Sequence, residues 1–169
     1  ARTMDTSAVQ GIDGWGSCPV SLGNLLLSQV EDAESRFPII NISREMTTDS
    51  EGAGRWRGQP GSLNVKKVLQ PTTAMAWMVS SAHTLSGICG GDDASSYSSH
   101  FEVGTPNEYK IDLIANALLP QDAVIAYQHG GGAGFESALL RDPAAVRDDV
   151  LDEIISVARA RDKYGVMFS

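Results

Sequence analysis

The chain is poor in the residues that build metal and disulfide sites. It has 2 cysteines, Cys18 and Cys89, and 3 histidines, His83, His100 and His129, all scattered. A structural zinc site draws on closely spaced ligand pairs such as Cys-x-x-Cys, and none is present, so no metal site is expected and the thiols are read as reduced and buried. Basic runs are also missing. At a formal net charge of −8, the chain lacks the lysine and arginine footprint that nucleic acid or an anionic membrane surface would require. No apolar stretch approaches the roughly 20 residues of a membrane span. The N-terminus has no basic-then-apolar signal pattern, so Asn41-Ile42-Ser43 is read as a chance match to the glycosylation triplet. The expectation is a soluble, cytoplasmic protein with neither nucleic-acid nor membrane partners.

What is present fits one globular domain. Its 169 residues can bury a single core, and 42% hydrophobic against 20% charged residues argues against disorder. The 17 glycines fall in a few clusters, which points to special backbone conformations rather than a flexible linker. Residues 1–23 are punctuated by glycine and proline and carry Trp15, Cys18, Val20 and Leu22 with little regular structure. They are expected to form an extended arm packed on a partner subunit, with residues 24–169 as the folded domain.

Asn24 to Val30 fits a short helix or a strand equally well, and Phe37 to Ile42 reads as a strand. Leu63 and Val65, then Met75, Trp77 and Val79, alternate around Pro71-Thr72-Thr73, which predicts a β-hairpin over 62–80. Phe101 and Val103 flank Glu102. Tyr109, Ile111 and Leu113 alternate with Lys110 and Asp112 and read as the clearest half-buried strand. Residues 122–129 supply another. Asp142 is a good N-cap and Pro143 suits the first helical position, with Val146, Val150, Ile154 and Ala158 recurring every four residues and Gly165 ending the helical stretch. Strands followed by a helical tail, without βαβ alternation, give an α+β fold: mostly antiparallel β over 37–129 with a C-terminal helix.

Candidate chemistry is sparse. His129-Gly-Gly-Gly-Ala-Gly-Phe135 follows a strand and precedes a helix, as phosphate loops do, but Phe135-Glu136-Ser137 supplies no lysine. Close backbone packing is the alternative reading for its glycines. Arg55 and Arg57 flank Trp56 within Gly52–Gly61. Alternate spacing would put both guanidiniums on one face, able to clamp a carboxylate or phosphate, or to pair with acidic residues of a neighbouring subunit. His129, at a strand end against the glycine run, is the candidate catalytic histidine. No nucleophile–base pair follows from spacing alone.

Three motifs carry a family resemblance. Gly52-Ala-Gly-Arg-Trp-Arg-Gly58 resembles the hydantoinase B and oxoprolinase signature, a Gly-Ala-Gly-Arg/Lys-Tyr-Arg-Gly-Gly run before a strand. Leu119-Pro120, then Gly130-Gly-Gly-Ala-Gly-Phe135, then Arg141-Asp142-Pro143 and an acidic helix are similar to the family's C-terminal pattern. Lys163-Tyr-Gly-Val166 resembles its closing Tyr-Gly-Val. Departures are visible: Glu136–Leu140 intervenes before Asp-Pro, and Gly90-Gly91 lacks the usual Lys-Pro-Gly.

The resemblance implies the C-terminal part of a hydantoinase B-type subunit, either separately encoded or cleaved from a longer chain. It also implies a small subunit of an ATP-dependent carboxylase or cyclic-amide hydrolase complex, as in acetone and acetophenone carboxylases. The chain would complete the hydantoinase B-like half, acting on a substrate activated by a hydantoinase A-like partner. Large A-like and B-like subunits are the implied partners. ATP and a divalent metal are expected on those subunits and no cofactor on this chain, which is expected to be inactive alone. A non-catalytic assembly module and a free-standing enzyme using His129 are the competing readings.

Overall fold

The computed structural model describes residues 6–15, 29–77, 84–111 and 114–168. Helix α1 (Val30–Arg36) leads into β1 (Ile39–Met46), followed by β2 (Ser62–Val68), β3 (Thr72–Trp77), β4 (Ser98–Phe101), β5 (Tyr109–Lys110), β6 (Ile114–Leu119) and β7 (Val124–His129). A 3₁₀ turn (Ala138–Leu140) then precedes α2 (Pro143–Leu151) and α3 (Val157–Tyr164). One sheet has the order β1-β2-β7-β4-β5, and a second consists of β3 and β6. Every ladder between these strands is antiparallel. The α+β expectation holds, and so does the helix start at Pro143, where the Asp142 carboxylate accepts from the Ala144 N–H at 2.9 Å.

The hairpin expected over 62–80 does not form. Both edges of β2 are already occupied, by β1 on one side and β7 on the other, so no edge is left for β3. The chain instead leaves β2 at Val68, whose N–H donates to the Ala123 carbonyl, and Leu69, whose N–H donates to that of Pro38. β3 then pairs with β6, from Thr72 opposite Leu119 to Trp77 opposite Ile114. Of the alternating run at 109–113, residues 112 and 113 lie outside the described residues. Tyr109 and Lys110 pair with β4, and the next strand begins at Ile114. β4 stops at Phe101 because Glu102 turns the chain at φ 54°. Cys89 is exposed in a turn at φ 55°, contrary to the buried thiol expected; Cys18 and residues 24–28 lie outside the described residues.

The helical tail is two helices. Glu153 adopts φ 58° and ends the first, and the Ser156 hydroxyl caps the second by accepting from the Arg159 N–H at 3.1 Å. The four-residue period therefore breaks: Ile155, Ala160 and Tyr164 are buried while Ala158 is exposed. Gly165 closes α3 in the left-handed region at φ 70°, where glycine carries no Cβ penalty.

Two apolar clusters result. One joins the sheets through Val68, Ala76, Phe101, Ile111, Leu119, Ala123 and Ile125. Burying each large side chain of this kind stabilises the fold by roughly 1.5–3 kcal/mol. The other packs Val146, Ile155, Ala160 and Tyr164 of the helical region against Ala53 and Ala138. Ala53 belongs to the first glycine segment, so the helices dock directly on the glycine-rich part of the chain.

Candidate functional site

The glycine segments form one backbone lattice. The Gly52 N–H donates to the Gly132 carbonyl at 2.8 Å, the Gly132 N–H to that of Gln59 at 2.8 Å, and Trp56 and Phe135 exchange bonds at 3.2 and 2.9 Å. A third loop joins them, with Asp92 donating to the Ala53 carbonyl at 2.7 Å and Ile88 to that of Gly134 at 3.2 Å. The contacts leave no room for side chains: a Cβ on Gly58 would sit 1.9 Å from the Gly132 oxygen, and one on Gly132 would sit 2.0 Å from the Thr6 oxygen.

All six N–H groups from Gly131 to Glu136 donate within the chain: to the Ser95 hydroxyl, Gln59 O, the Ser7 hydroxyl, Asp92 O, Trp56 O and Ile88 O. A phosphate cradle needs such groups turned toward a ligand. This run does not fit one; its glycines allow close packing. Among the described residues, no group of three or more His, Cys, Asp or Glu side chains could hold a metal ion.

Residues 6–15 belong to the same lattice. The Ala8 N–H donates to the Ala133 carbonyl at 2.8 Å, Gly14 to that of Arg57 at 2.7 Å, and Gln59 to that of Thr6 at 3.1 Å. This part of the expected arm therefore makes its backbone hydrogen bonds to its own chain, while Val9, Ile12 and Trp15 stay exposed.

The two candidate arginines part company. Arg57 turns inward and donates from Nε to Asp149 at 2.8 Å. Arg55 stays half exposed, pairs with Glu136 at 3.1 Å and lies 5.9 Å from the Trp56 ring centroid. Both arginines thus pair with carboxylates of this chain. The spacing also gives no sign of Arg141, which holds the cluster together. Its guanidinium reaches Asp149 at 2.8 Å, both Asp13 oxygens at 2.8 Å and the Arg55 carbonyl at 3.0 Å. Burial alone would lower the Arg141 pKa, but the hydrogen bonds to Asp13 and the charges of Asp149 and Asp13 outweigh it and raise it.

A second buried pair lies beneath the lattice. Glu51 accepts through Oε1 from Arg159 Nε at 2.6 Å and from the Tyr164 hydroxyl at 3.2 Å. Burial pushes the Glu51 carboxyl above its usual range, against the opposing pull of Arg159, and also raises the Tyr164 phenol. Glu51, Arg159, Asp49, Asp92, Asp93 and Lys163 line an open cleft of mixed charge. His129 ends β7 beside the glycine run, its ring edge-on to Tyr97 at a centroid distance of 5.7 Å. His129, Arg55 and Arg57 are not among the residues that line this cleft.

The lattice, the Asp-Pro cap and the closing helices are the structural form of the motifs noted above. A hydantoinase B/oxoprolinase family model matches residues 3–137. The chain belongs to the hydantoinase B/oxoprolinase family. Among curated proteins it is 27% identical over 168 residues to caprolactamase subunit beta of Pseudomonas jessenii, covering 95% of this chain and 29% of that relative. Its fold superposes on the crystal structure of ATP-dependent caprolactamase from Pseudomonas jessenii with a TM-score of 0.80 at 22% identity, over 98% of this chain and 30% of that one. A nucleotide-free acetone carboxylase structure gives 0.76 at 19% identity, over 96% and 26% of the two chains. The chain thus spans less than a third of the relatives it matches. Among the described residues, no helix is long and apolar enough to cross a membrane.

Proposed function

We propose that this chain completes the hydantoinase B-like half of an ATP-dependent carboxylase or cyclic-amide hydrolase. In this reading large hydantoinase A-like and B-like subunits are its partners, and ATP and a divalent metal are held on them. The observation that carries the reading is the family match combined with coverage of less than a third of caprolactamase subunit beta and of a chain of the ATP-dependent caprolactamase structure. The engaged N–H groups of the glycine run favour a nucleotide site elsewhere. In this chain the lattice acts as a rigid platform. Arg55 is the better candidate to meet a substrate or partner carboxylate, because Arg57 is held by Asp149. His129 is the candidate for proton transfer at the platform's edge.

A second reading, a non-catalytic assembly module, is favoured by the engagement of both arginines within the chain. The exposed Val9, Ile12 and Trp15 support contact with a partner subunit by the 1–23 segment even where its backbone is bonded at home. The test is to isolate the native assembly through a tag on this chain and assay ATP-dependent turnover of a cyclic amide and of acetone with bicarbonate. The isolated chain is expected to be inactive and the assembly active. Loss of activity in Arg55→Ala or His129→Ala with the assembly intact favours the catalytic reading. Full activity in both variants favours the assembly module.

A further inference from the structure

The β3–β6 ribbon has the composition of a sheet covered on both sides. Its inner face carries Ala74, Ala76, Ala115, Ala117 and Leu119, packed into the core that joins the sheets. The register puts Thr73 opposite Leu118 and Met75 opposite Asn116, so these residues and Ile114 share the other face. On that face Met75 is 59%, Ile114 65% and Leu118 75% exposed. Met75, Ile114 and Leu118 therefore point away from the chain's own core, while the inner face carries alanines and the single large residue Leu119. Neither strand contains a charged residue. A sheet facing water on one side normally alternates apolar with polar or charged positions, whereas a sheet buried on both sides reads as a nearly continuous apolar run. A two-stranded ribbon also needs packing on a face or further strands to be stable in water.

We infer that the outer face of β3–β6, centred on Met75, Ile114 and Leu118, is a buried interface in the working protein. Its occupant is an apolar element from the rest of the hydantoinase B-type fold. Three observations choose this occupant. The chain matches 98% of its own length inside a chain of which it is 30%, so most of the homologous fold lies outside these residues. The face is uncharged in a chain of net charge −8, which suits a core-like contact better than the polar rim of a transient one. The inner core is continuous through the same two strands, so covering the outer face turns the ribbon into the middle layer of a sandwich. The inference rests on the proposed function for the identity of the partner.

The test places a photo-crosslinking amino acid at Leu118, and separately at Thr105 on the turn after β4 as a solvent control, in the native assembly isolated through a tag on this chain. Mass spectrometry then identifies the linked peptides. Crosslinks from position 118, and not 105, to hydantoinase B-type sequence outside this segment are the expected result. Links from 118 to a second copy of this segment, to a hydantoinase A-type subunit, or to nothing while B-type sequence is in the assembly, overturn the inference and leave the proposed function standing. An assembly without any hydantoinase-type sequence overturns both. A Leu118→Asp variant gives an independent reading. It is expected to keep the isolated chain's unfolding temperature within about 3 °C and to lower recovery of the assembly at least tenfold; equal recovery contradicts the inference.

Discussion

Replacing Arg141 with alanine tests how the platform is held together. The Arg141 side chain is 4% exposed and bridges Asp149, at 6%, and Asp13, at 31%. Its removal leaves Asp149 in the interior with Arg57 as its remaining cation and leaves the Arg55 carbonyl without its donor. Losing one partner of a buried ion pair costs about 3–5 kcal/mol, and here Arg57 alone is left to offset the desolvation of Asp149. A domain of this size has roughly 5–15 kcal/mol of total stability, so the loss is a large share of it. The unfolding temperature should fall by about 2–4 °C per kcal/mol, or roughly 6–20 °C altogether. Asp13→Asn should cost far less, about 1 kcal/mol or below, because that carboxylate is partly solvated and screened. Arg141→Lys keeps the charge but not the planar fork, and should fall between the two. The assay is thermal unfolding followed by circular dichroism at neutral pH. An Arg141→Ala midpoint within 2 °C of the parent, or below the effect of Asp13→Asn, would refute this account of the cluster.

Other expectations follow from the same contacts. Gly58→Ala places a Cβ 1.9 Å from a backbone oxygen and should destabilise by about 3 kcal/mol or more. Gly104→Ala, with nothing within 4 Å at φ 79°, should lose only about 1 kcal/mol; equal losses in urea titrations would rule out the lattice as the cause. Asp142→Ala removes the α2 cap and should cost about 1 kcal/mol, read from the same titrations, with no loss counting against the cap. The raised pKa of Glu51 has a definite sign. The folded state holds that proton more tightly than the unfolded chain, so raising pH from about 4.3 through the folded pKa diminishes stability. Relative to the parent, Glu51→Gln should therefore gain stability over that window, and a constant or opposite difference would contradict the burial argument.

The strands and the helix start were legible where a local rule sufficed. Asp142-Pro143 announces a helix by its own chemistry, and the 122–129 run has the right alternation and length. Strand pairing was not legible in the same way. The turn at Pro71 looks like a hairpin, but the competition for the edge of β2 is decided by β7, some 60 residues further along the chain. The split of the helical tail turns on a single left-handed residue, Glu153, which the four-residue period conceals. In the site, the glycine runs identified the family and their close packing was anticipated. The buried charges that fix them were not, since Asp13, Arg141 and Asp149 are distant or differently spaced along the chain. A solvated acidic helix face and a buried aspartate read alike until packing distinguishes them.

The most direct measurement is an omit-one reconstitution. The assembly that copurifies with this chain is rebuilt from purified subunits with and without it, and ATP-dependent turnover of a cyclic amide and of acetone with bicarbonate is followed. The account predicts turnover of at least one substrate only when the chain is present, with none from the chain alone. Undiminished turnover without the chain, or ATP-dependent turnover by the chain by itself, would contradict it.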